Sequence, residues 1–83
     1  MDDREATPRV VELDMREVPL LKRLDVILKA WSEIRPGEAI RLRNDREPLP
    51  LRLLFGRREK GRHDWSYETQ GPDEWVALIR RKG

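Results

Sequence analysis

The chain has 83 residues, with 18 Lys or Arg against 16 Asp or Glu for a formal net charge of +2. A chain this short makes one domain that buries only about 60–65% of its unfolded surface, which leaves little room for a deep private active-site cavity. With no cysteine, disulfides, thiolate nucleophiles, persulfides, iron–sulfur ligation and zinc-ribbon sites are excluded, and a small surplus between two large charge counts is no signature of nucleic acid.

Charged residues make up 41% of the chain and apolar ones 37%, a balance that would suggest disorder if the apolar residues were scattered. They are periodic instead. Met1 to Pro8 is polar and ends in proline, which predicts a disordered leader over residues 1–8 ahead of a single domain over residues 9–83. The acidic start carries no signal-peptide pattern, and no stretch reaches the roughly 20 apolar residues of a membrane span, so the cytoplasm is the expected location.

Val10 to Asp14 alternates as a strand with Val11 and Leu13 inward. Val18-Pro19 then opens a helix in which Leu20, Leu21, Leu24, Ile27, Leu28, Trp31 and Ile34 recur at three- and four-residue steps. That spacing predicts one buried face, with Lys22, Arg23, Lys29 and Glu33 on the other. Arg35 to Glu38 breaks the helix, and Ala39 to Asn44 sets Ile40 and Leu42 against Arg41 and Arg43 as a second strand.

Asn44 to Pro50 reads as a loop leading into a shorter helix whose inner edge is Leu51, Leu54 and Phe55. Arg57, Arg58 and Lys60 complement the negative end of its dipole, and Gly61 stops it. His63 to Thr69 places Trp65 and Tyr67 on one face, Gln70 to Asp73 turns, and Glu74 to Arg81 returns with Trp75, Ala77 and Ile79 inward. The order βαβαββ predicts an α+β fold, a two-layer sandwich with both helices on one face of a four-stranded mixed sheet.

Leu13-Asp14-Met15-Arg16-Glu17-Val18-Pro19, Pro36-Gly37-Glu38 and Val76 to Gly83 resemble the TusA/SirA-like proteins over nearly the whole chain. The chain is closer still to the TusA-related family called domain of unknown function 2249 (DUF2249). Asn44-Asp45, Pro48, Pro50-Leu51, Trp65, Tyr67, Gly71-Pro72 and Trp75 carry that resemblance. It implies spatial strand order 1-2-4-3, with the last strand running against the others. TusA-type sulfur carriers place a Cys-Pro pair at the start of the first helix; the corresponding positions here are Leu20 and Leu21, which leave no nucleophile for sulfur relay. DUF2249 sequences often carry histidine after the Asn-Asp pair, where this chain has Arg46.

His63 is the only histidine, lacks the co-ligands a metal would need, and reads as a strand-edge residue. The dispersed glycines form no phosphate loop. Trp31, Trp65 and Trp75 each take the inward phase of their element, which predicts core packing rather than base stacking. Glu12, Arg41, Arg43, Asp64, Ser66, Glu68 and Arg80 surround Val76 and Leu78 on the opposite sheet face, a mixed-sign pattern suited to cross-strand ion pairs.

The topology sorts the loops into two rims. One collects Arg9, Arg35, Arg57, Arg58, Lys60, Arg62, Arg80, Arg81 and Lys82; helix-end complementarity and solubility account for it, with binding of an acidic partner or nucleic acid the lesser reading. The other holds Asp14, Arg16 and Glu17, the Asn44 to Glu47 loop and both helix starts. Ligands of α/β folds bind beyond the carboxyl ends of parallel strands, where helix amides can receive an anion; alternatively Asp14, Asn44 and Asp45 only cap and turn the chain.

The expected function is a noncatalytic binding or accessory module, with no metal or cofactor, that presents Arg16, Asn44, Asp45 and Arg46 to a protein partner or small anionic ligand. The alternative, resting on the family resemblance, is a regulator or auxiliary in sulfur or redox metabolism that has lost the carrier cysteine.

Overall fold

The computed structural model describes residues 8–82, so the expected leader lies, apart from Pro8, outside the described residues. Strand β1 (Val10–Asp14) pairs parallel with β2 (Ala39–Asn44), in a register that sets Val11 beside Ile40 and Leu13 beside Leu42. Strand β4 (Trp75–Arg81) runs antiparallel to β2 on one side and to β3 (His63–Gln70) on the other, giving the order 1-2-4-3. Helices α1 (Arg23–Glu33) and α2 (Leu49–Arg58) complete the α+β fold that the hydrophobic periods predict.

Both helices press on one sheet face. Ile27 and Trp31 of α1 and Leu51 and Phe55 of α2 share a single core with Ile40, Leu42, Ala77 and Ile79. Period-two alternation is visible along all of β3, where His63, Trp65 and Tyr67 are partly buried and their neighbours exposed. Trp31 meets Phe55 edge-on, with centroids 5.0 Å apart, and Phe55 in turn meets Trp65 at 6.1 Å. Tyr67 and Trp75 extend this aromatic row at 5.5 Å, but Trp75 is only partly buried and stands outside the core cluster in which its phase placed it. Its indole leans on Gly71, where an added Cβ would come within 2.9 Å of the ring.

The first helix begins later than its leucines suggest. Val18 is extended, as expected of a residue before proline, and Pro19 is extended too. The chain therefore makes two short 3₁₀ turns, Met15–Glu17 and Leu20–Lys22, before α1 starts at Arg23. Leu20, Leu21 and Leu24 are 70%, 94% and 45% exposed, so only Ile27, Trp31 and Ile34 of the expected face are buried. Leu20 and Leu24 instead line an open cleft shared with the start of α2.

The sheet face without helices carries the expected ion pairs. Arg41 bridges Glu12 on β1 and, at 2.7 Å, Glu68 on β3; Arg43 meets Glu74, and Lys82 lies 3.5 Å from Asp64. The Arg41 guanidinium holds the Glu68 carboxyl below the usual range. Beneath this layer Val76 is buried, although no helix covers that side. Across the sheet end, Arg80 donates to the Gly37 carbonyl at 2.6 Å and Arg81 to that of Trp31 at 2.7 Å, so two of the expected basic-rim residues close the carboxyl end of α1 and the turn after it.

Candidate functional site

The two helix starts converge beyond the carboxyl ends of β1 and β2, and an open cleft of about 480 Å³ lies between them. Met15, Leu20, Leu24 and Ile27 form one wall, and Pro48, Pro50, Leu51 and Leu54 the other. The sequence builds each wall simply. Exposed Leu20 and Leu24 stand one turn apart ahead of buried Ile27, while Pro50, Leu54 and Arg57 follow a single stripe of α2 at four- and three-residue steps.

Charge enters the cleft through Arg23, Arg46 and Arg57, opposed by Glu47 alone. Arg23 is partly buried; its Nε donates to the Val18 carbonyl at 2.9 Å and its Nη1 to Asn44 Oδ1 at 3.5 Å. The sequence placed Arg23 on the polar face. Its position three residues after Leu20 and four before Ile27 was the signal that it shares their stripe. Arg57 stands in the last turn of α2, as expected of a basic-rim residue, and it also lines the cleft, because the helical step that brings Pro50 and Leu54 there brings Arg57 with them.

The four residues singled out from the sequence fall in two groups. Asn44 and Arg46 line the cleft. Asn44 also turns the chain, since its Oδ1 accepts the Asp45 amide at 2.9 Å. Arg46 is highly exposed, with Asp45 Oδ1 3.7 Å from its Nε. Asp45 itself is exposed and is not part of the lining. Arg16 is held away from the cleft by Asp14: Nε and Nη2 reach the two carboxylate oxygens at 2.9 and 2.7 Å, and the Arg16 amide adds a third bond at 3.0 Å. These hydrogen bonds pull the Asp14 carboxyl down to about 2 and leave the Arg16 charge already compensated.

Anion capture by bare helix amides is weaker here than the sequence suggests. Pro48 and Pro50 carry no amide hydrogen, so the start of α2 loses two donors. The site offers side-chain guanidinium groups above an apolar floor instead. Glu47, the one acid, accepts from the Tyr67 hydroxyl at 3.1 Å and so anchors the loop to β3, while Arg52 lies 5.6 Å from the Tyr67 ring centroid. Among the described residues no group of three or more His, Cys, Asp or Glu is placed to hold a metal ion, and no helix is long and apolar enough to cross a membrane.

Fold and site together define a small two-layer α+β domain with an arginine-edged apolar cleft at the carboxyl ends of its parallel strands. The chain belongs to the family described as "Uncharacterized conserved protein (DUF2249)", whose model matches residues 12–81. No curated protein and no solved structure matches it.

Proposed function

We propose that this protein is a noncatalytic binding module whose cleft between α1 and α2 receives an apolar group carrying negative charge. One observation carries the reading: the walls are Met15, Leu20, Leu24, Ile27, Leu51 and Leu54, while the charged lining is three arginines to one glutamate. Apolar walls supply affinity through removal of surface from water, and guanidinium groups at the edge select the sign of the ligand. Arg16 stands apart as a structural partner of Asp14; Asn44 and Arg46 belong to the binding edge.

Kinship with the TusA/SirA-like proteins is part of the same reading. Strand order 1-2-4-3 is the order that resemblance implies, and Leu20, at the position where sulfur carriers have cysteine, lines the cleft. On this account the module keeps a ligand-facing surface and has no sulfur chemistry of its own.

Decanoate tests the proposal, with decylammonium as the charge-reversed control, by titration into isotopically labelled protein while amide resonances are followed. Decanoate should saturate with shifts centred on Leu20, Leu24, Leu51 and Leu54, and decylammonium should bind at least tenfold more weakly. Equal binding of the two amphiphiles, or shifts centred away from these residues, would remove the basis of the proposal.

A further inference from the structure

The exposed leucines extend past the cleft. Leu21, Leu49 and Leu53 are 94%, 44% and 59% exposed, and none of the three lines the cleft. Each is nevertheless the chain neighbour of a residue that does: Leu21 of Leu20, Leu49 of Pro48 and Pro50, and Leu53 of Leu54. A small ligand seated between the walls would leave these three in water. Leu49 and Leu53 stand four residues apart on α2, and Leu21 lies in the turn that leads into α1; apolar surface that continues beyond a pocket on both of its sides marks a site for a larger partner.

The charge pattern selects that partner. Arg23, Arg46 and Arg57 edge the groove against Glu47, so a second copy docked face to face would bring arginines against arginines, a juxtaposition that opposes association. An acidic partner meets the opposite condition. Resting on the binding role given to the cleft above, we propose that its physiological occupant is an amphipathic helix of another protein, its leucine-type face in the groove and its acidic flank on the three arginines. Recognition of this kind reads apolar anchors at three- and four-residue spacing. Helix α2, ten residues long, spans about 15 Å at 1.5 Å per residue, so about three turns of a partner helix would lie along it, and a peptide of about 16 residues covers that length with a turn to spare.

The experiment uses the whole chain and three probes: a helical peptide of about 16 residues with leucines on one face and glutamates on the other, the same peptide with lysine for glutamate, and decanoate. The acidic peptide should bind in the micromolar range, shift the amides of Leu21, Leu49 and Leu53 as well as the cleft, and compete with decanoate. Its lysine analogue should bind at least tenfold more weakly. A Leu21→Gln, Leu53→Gln variant changes only exposed side chains; it should keep decanoate affinity and lose at least tenfold for the acidic peptide.

Decanoate binding without peptide binding would overturn the helix proposal and leave the binding role of the cleft standing. Failure of both probes would remove both readings. Equal affinity for the two peptides, or unchanged peptide affinity in the double variant, would also overturn the proposal, because the arginines are what select an acidic helix and the leucine lips are what distinguish a docked helix from a small amphiphile.

Discussion

Arg81, the last residue of β4, donates from its guanidinium to the main-chain carbonyl of Trp31 at 2.7 Å and lies 5.4 Å from the centroid of the same tryptophan's ring. One side chain thus satisfies a carbonyl in the last turn of α1 and covers the aromatic face that anchors the helix to the sheet. Arg81→Ala should lower unfolding stability by about 2 kcal/mol, since it strands a partly buried carbonyl and removes a cation from an indole. Arg81→Lys should recover less than half of that loss, because a flexible ammonium cannot reproduce the fork geometry. Urea midpoints of the three proteins decide this, and full rescue by lysine would count against the fork.

Two tryptophans that the sequence treats alike should respond differently to truncation. Trp31→Ala opens a cavity beside Phe55 and should cost about 3–5 kcal/mol. Trp75 is partly buried at the sheet end, so its alanine variant should cost roughly half as much. Equal losses in denaturant unfolding would mean that Trp75 belongs to the core after all.

The Asp14–Arg16 pair sets an acid-side dependence. The folded carboxyl titrates at about 2, below its ordinary 3.8, so its stabilising contribution is present above pH 3.8 and is lost as pH falls through 2. The stability difference between the parent and Asp14→Asn should shrink across that interval. A difference that stays constant from pH 5 to pH 2 would contradict the pairing.

Tyr67 sets the opposite dependence at high pH. Burial first, and then its donation to Glu47, hold the phenol above its ordinary 10.0. A raised value means that its contribution is complete below pH 10 and lost as pH rises through the folded value. Tyr67→Phe should therefore flatten the alkaline decline in thermal stability, and an unchanged decline would assign it to other groups.

Charge reversal separates the basic residues that line the cleft from those beside it. Arg46→Glu with Arg57→Glu should weaken decanoate binding at least tenfold while the circular dichroism spectrum stays that of the parent, because both residues are exposed. Arg58→Glu with Lys60→Glu changes net charge equally and lies outside the cleft lining, so binding should hold within about twofold. A larger loss in the second variant would show that overall charge, rather than the cleft, governs binding.

What the sequence determined by itself is the layer arrangement. Alternation in Ile40-Arg41-Leu42-Arg43 and in His63 to Tyr67, together with the three- and four-residue steps from Ile27 to Ile34, are local periods that leave one face of each element for the core. The mixed-sign strand residues likewise announced a salt-bridged face.

Tertiary structure alone decided where the apolar stripe stops being core. Leu20, Leu21 and Leu24 continue the spacing of Ile27 and Trp31, yet all three are exposed, Leu20 and Leu24 along the open cleft between the helices. It also decided which arginines are available. Arg16 and Arg46 look alike in sequence, yet Asp14 holds one by hydrogen bonds to both carboxylate oxygens while the other meets only an exposed carboxylate beside it. Arg23 and Arg57, read as an outer helix face and a rim charge, become cleft residues because two helices from distant parts of the chain converge there. Periodicity is a property of neighbours along the chain, whereas exposure and charge pairing depend on what the fold brings alongside.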